Sequence, residues 1–122
     1  MTQELQLPSE VGQLEDEQVL ARWMAGRTQS SRRLVGGYLY LTSQRLVFTP
    51  RVSDAVLDGA YWRAYHADIV DLGRLRKDLS QILGGSLRDR LWIEYNDGAV
   101  ERFRVQRLDD VIEQIRTVAK IF

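Results

Sequence analysis

His66, the one histidine in the chain, stands two residues before Asp68 in "AYHAD". An imidazole beside a carboxylate is the beginning of an acid–base or nucleophilic centre, and in an extended strand residues 66 and 68 share a face. The rest of such a centre is missing from the sequence. No Gly-x-Ser-x-Gly elbow accompanies the pair. With no cysteine and a single imidazole, a metal site would have to be built from scattered carboxylates, and Gly84-Gly85 lacks the lysine and spacing of a phosphate loop. The histidine therefore reads as structural; catalysis through it is the distant alternative, and no cofactor or metal is expected.

A second stretch carries binding chemistry. "GRTQSSRR", residues 26–33, holds three arginines and two serines between two apolar runs. Guanidinium forks match phosphate oxygens two at a time, so Arg27, Arg32 and Arg33, with Ser30 and Ser31 as further donors, are candidates for gripping an anionic ligand. The set is incomplete. Once Arg32 and Arg33 lie on a strand they point to opposite faces, and only one joins a common pocket. The plainer reading is a soluble connection.

These residues depend on elements that the hydrophobic period locates. "EQVLARWMAG" (17–26) reads as a strand, "RLVGGYLYLT" (33–42) as a strand burying Val35, Gly37, Leu39 and Leu41, and "QRLVFTP" (44–50) as a third. "AYWRAYHADIVDLGRL" (60–75), rich in aromatic and branched residues, predicts two short strands with a kink near His66–Asp68. From Leu108 the period changes. Leu108, Val111, Ile112, Ile115, Val118, Ala119 and Phe122 make one stripe of an amphipathic helix, with Asp109 or Asp110 placed to cap or complement its positive end. Short helical turns are expected at 53–59 and over "RKDLSQILGG" (76–85), the latter a lid between strands. Residues 1–13 are polar and broken by Pro8 and Gly12, so a flexible segment is expected ahead of a single domain over 14–122.

Parity sets the last hairpin, "DRLWIEYN" and "AVERFRVQ". Leu91 and Ile93 must share a face with Phe103 and Val105. A two-residue turn would set odd positions against even ones and put Arg102 against the core. A three-residue loop, Asn96-Asp97-Gly98, pairs Leu91 with Phe103 and places Gly98 in the left-handed region. The same parity sends Trp92, Glu94, Arg102 and Arg104 outward, a composition suited to an interface hot spot. The structural alternative is an ion pair of Glu94 with Arg102 or Arg104 and a tryptophan covered by a loop. Tyr38 and Tyr40 oppose the buried Leu39/Leu41 face, and either cover loops or contact another copy.

The order of these pieces resembles the GRAM branch of the pleckstrin-homology-like (PH-like) superfamily. The likeness runs over roughly residues 14–122: Glu17, Val19 and Leu20; Gly37-x-Leu39-Tyr40-Leu41-Thr42; Arg45-Leu46-Val47-Phe48-Thr49-Pro50; "DIVDL" at 68–72; "LWIEYNDG" at 91–98; and Phe103-Arg104-Val105 before the helix. It implies an α+β fold, a strongly bent antiparallel sheet of about seven strands, partly open as a barrel and capped by one C-terminal helix. It also implies a binding role in place of catalysis. In members that bind phosphoinositides, basic residues around the first loop hold the phosphates, the neighbourhood of Arg27, Arg32 and Arg33. The usual basic–any–basic triplet is absent here, because Leu34 and Val35 follow.

Composition bounds the partners. The chain has 122 residues, with 17 basic and 17 acidic side chains and zero net charge, so there is no long-range pull on nucleic acid. The absence of cysteine fits a reducing compartment, no apolar run approaches a membrane span, and "MTQELQLPSE" lacks a signal-peptide pattern. The expectation is a soluble cytoplasmic binding module that contacts proteins, including its own copies. The alternative is an anionic headgroup ligand and a place at the membrane periphery.

Overall fold

Val19–Ser30 (β1), Arg33–Thr42 (β2) and Arg45–Pro50 (β3) form an antiparallel meander whose alternate residues Ala25, Val35, Leu39, Leu41, Leu46 and Phe48 are buried together. The computed structural model of the chain describes residues 5–30, 33–51, 61–75 and 90–121, with backbone only at 29, 30, 33, 34 and 75. The turns expected at 53–59 and 76–85 lie outside these residues, as do Ser31, Arg32 and Phe122.

Trp62–Tyr65 (β4) and Ile69–Leu75 (β5) are joined by a 3-10 turn at His66–Asp68, and Arg90–Tyr95 (β6) and Val100–Val105 (β7) make the last hairpin. The sheet runs β4-β3-β2-β1-β7-β6-β5, antiparallel throughout. Five strand spacings separate β4 from β6, about 24 Å in a flat sheet. Yet Trp62 of β4 lies 5.9 Å from the Tyr95 ring of β6 and 5.0 Å from Phe103 of β7, centroid to centroid. The sheet therefore bends back on itself without closing.

Leu108–Ala119 (α1) covers the inner face. Leu108, Val111 and Ile115 sit at positions i, i+3 and i+7 and are buried among Leu72, Leu91, Ile93 and Phe103. Its first residue follows Arg107 in the left-handed region (φ 52°), with no side-chain cap bond. Asp109 and Asp110 thus complement the positive end of the helix and do not cap it. The helix stops at Lys120, also left-handed (φ 59°), where the Ile121 N–H reaches back to the Arg116 carbonyl.

Residues 5–18, which composition predicts to be flexible through 13, lie across the outer side of the meander. Leu7 is buried with Tyr40 and Val47, and Val11, Val19 and Tyr38 pack against that cluster.

Candidate binding surface

Arg27 has the parity of Trp23 and Ala25, so its side chain is on the inner face of β1. There it forms a two-pronged pair with Glu101 of β7: Nε donates to Oε1 at 2.9 Å and Nη2 to Oε2 at 3.2 Å. A phosphate would have to displace that carboxylate. Arg32 and Ser31 lie outside the described residues, and of Ser30 and Arg33 only the backbone pairing with each other is described. The structure thus does not bring the five first-loop residues together as one described site.

The outer face of the last hairpin is differently arranged. Leu91 pairs with Phe103, Trp92 with Arg102, Ile93 with Glu101 and Glu94 with Val100, which leaves Asn96-Asp97-Gly98 as the loop, with Gly98 at φ 88°. Leu91, Ile93 and Phe103 are buried, and Trp92, Glu94, Arg102 and Arg104 face outward. Trp92 lies beside Gly73 of β5, its register partner; a Cβ at 73 would stand 3.3 Å from the indole Nε1. The missing side chain lets the indole lie against β5, half-buried.

Sequence parity missed one member of this face. Arg90 begins β6, two residues before Trp92, and the next step of the ladder sets it alongside Arg104. Its Nη1 donates to the Thr28 hydroxyl of β1 at 3.0 Å. Carrying the even-residue count back one step from Trp92 would have found it. Burial, and then the charges of Arg104 and Arg102, push the Arg90 guanidinium below the usual arginine value. Among the described residues, the Nε atoms of Arg90 and Arg104 are buried without hydrogen-bond partners. Among the described residues, none of these three arginines pairs with a carboxylate, so the anticipated bridge from Glu94 is not formed. Glu94 pairs in register with Asp71. Basic residues thus stand on one side of Trp92 and acidic ones on the other.

Tyr40, considered as a contact residue, is only 5 % exposed beneath Leu7 and offers no outward surface. Tyr38 is half-buried, with the Arg22 guanidinium 4.9 Å from its ring centre. His66 and Asp68 occupy the 3-10 turn and not a strand, so they do not share a face as extended residues would. The His66 Nε2 is 2.7 Å from the Thr42 carbonyl and carries a proton toward it. Among the described residues Nδ1 is buried without a partner, and burial holds the imidazole below its usual pKa, in the neutral form.

No protein-family model matches the sequence, and no curated protein matches it. Solved structures do. The C-terminal domain of an unknown protein from Leishmania infantum superposes with a TM-score of 0.66 at 13% identity, over 85% of each chain. The Vps36 N-terminal PH domain does so with 0.63 at 13%, over 88% of this chain and 83% of that one. The linker-DH/PH domains of p115-RhoGEF give 0.64 at 6%, over 93% of this chain and 32% of that one. The chain has a PH-like fold. In this PH-like frame the two arginine groups lie on opposite sides of one wall, Arg27 inside and Arg90, Arg102 and Arg104 outside. No described helix is long and apolar enough to cross a membrane.

Proposed function

We propose that the chain is a non-catalytic, cytoplasmic PH-like docking module, nearest the GRAM branch in sequence, which engages a protein partner through the outer wall of β5, β6 and β7. The observation that carries this is the charge arrangement around Trp92. Three arginines, without carboxylate partners among the described residues, stand to one side, and Glu94 stands to the other, next to Asp71, whose carboxylate is 3.8 Å from Arg116 Nη2. A protein surface can complement both signs at once, whereas an anionic bilayer laid on the same wall would meet the Glu94 carboxylate. Trp92 supplies the amphipathic anchor between them. Headgroup binding at the first loop is less favoured, because Arg27 is committed to Glu101.

The test compares proteins captured by the intact chain with those captured by Trp92→Ala and by Arg27→Ala, alongside the mass in solution across a concentration series. The expected result is a partner lost with Trp92→Ala and kept with Arg27→Ala; a mass that rises with concentration would identify the partner as a second copy. An unchanged set of captured proteins in Trp92→Ala, with an invariant mass, would overturn the reading.

A further inference from the structure

We propose that Arg90, Arg102 and Arg104, together with the Thr28 hydroxyl, form a site for a doubly charged phosphate group on the outer wall of β1, β7 and β6. The inference rests on the docking reading and names the group recognised there: a phosphorylated side chain of the partner protein.

Three like charges on neighbouring strands repel one another, and nothing among the described residues neutralises them. Two of them also keep a buried Nε–H with no acceptor among the described residues. Leaving a buried donor unpaired costs stability, and more so for a charged group. Arg90 and Arg104 are themselves only half-buried and Arg102 is exposed, so the three side chains remain reachable by an acceptor that arrives from outside. A carboxylate brings one charge and two coplanar oxygens. A phosphomonoester brings a charge of about −1.5 to −2 and three terminal oxygens, enough to meet forks converging from two strands. Thr28 completes the set. Its oxygen already accepts from Arg90 Nη1, which holds that guanidinium in place and leaves the hydroxyl hydrogen to donate to the ligand. This site does not use Arg27, which faces the other side of the wall.

The experiment titrates the intact chain with the phosphomonoester glycerol 3-phosphate at constant ionic strength, with acetate in parallel, and follows the arginine Nε–Hε resonances by NMR. Saturable movement at Arg90 and Arg104 is expected, at roughly tenfold lower concentration than any response to acetate. Binding should vanish in Arg90→Gln/Arg104→Gln and persist in Arg27→Gln and Trp92→Ala. Arg102→Gln, at an exposed position with no hydrogen bond or ion pair among the described residues, should weaken it several-fold even if the double variant fails to fold. An equal response to acetate, unchanged affinity in Arg102→Gln, or saturation confined to Arg27 would overturn the site. The two readings fail separately. Phosphate binding without Trp92-dependent capture sinks the docking surface, and Trp92-dependent capture without a phosphate response sinks the site. Partner capture abolished by phosphatase treatment supports a phosphorylated protein. Association with phosphatidylcholine vesicles containing phosphatidic acid, lost in the double variant, would assign the phosphate to a lipid and overturn the protein source.

Discussion

Two glycines are required for opposite physical reasons. At Gly37 the conformation is ordinary and the space is absent: a Cβ would stand 2.0 Å from the Thr49 carbonyl oxygen and 2.9 Å from Pro50 Cα. Both are backbone atoms of β3 and cannot rotate away. Gly37→Ala is therefore expected to destabilise the fold by about 3 kcal/mol or more, the upper part of the overpacking range, read as a lowered urea midpoint. At Gly98 the space is open and the conformation is the constraint. Beyond its chain neighbours no atom lies within 4 Å of where a Cβ would stand, but φ is 88°. Gly98→Val should cost about 1–2 kcal/mol from backbone strain alone, and Gly98→Asn clearly less, since asparagine tolerates the left-handed region. Equal costs for Val and Asn would mean that the loop relaxes to another turn.

At the scale of elements, what could be read from the sequence was what short-range period controls. Alternation in "RLVGGYLYLT" marks β2, and the odd–even bookkeeping across Asn96-Asp97-Gly98 fixes the pairing of Leu91 with Phe103. The helix stripe is legible for the same reason, except at its end, where Lys120 takes the left-handed cap that glycine more often fills. The bend of the sheet was not legible from period alone; it came through family resemblance. It brings Trp62 against Phe103 across 41 positions of sequence, and no local pattern encodes that approach. Nor could parity alone show that Arg27 would be taken by Glu101, because each residue is on an inner face for its own local reason and only the β1–β7 pairing joins them. The helix stripe yields its own expectation. Ile115 is fully buried, whereas Ile112 is half-buried at the edge of the stripe. Ile115→Ala should cost about 2–5 kcal/mol and Ile112→Ala roughly half as much, compared by thermal and urea unfolding.

Over the whole molecule, the N-terminal segment is tied to the sheet by charge as well as by Leu7. Composition gave no sign of this, because Arg45 has the outward parity of Val47 and Thr49 and should be solvated. It is instead 1 % exposed, covered by the segment that composition predicts to fray. Its Nε and Nη2 donate to the two Glu17 carboxylate oxygens at 2.8 and 3.1 Å, and Nη2 also reaches the Gly12 carbonyl. The Thr42 hydroxyl and the Leu14 N–H complete the carboxylate's shell. Burial alone would raise the Glu17 pKa, but Arg45, the Leu14 N–H and Thr42 together reverse that and hold it below the usual carboxylate range. A folded-state pKa below the unfolded one means that the pair stabilises fully above about pH 4.5 and loses that contribution as the pH falls through the folded value. Glu17→Gln leaves Arg45 buried without its counter-charge, at an expected cost of about 3 kcal/mol at pH 7. That gap should narrow steadily below about pH 4.5 as the parent's own carboxylate takes up its proton, in urea unfolding measured from about pH 7 to about pH 3. A gap that stays constant over the whole range would show that the attachment of the segment does not depend on this charge.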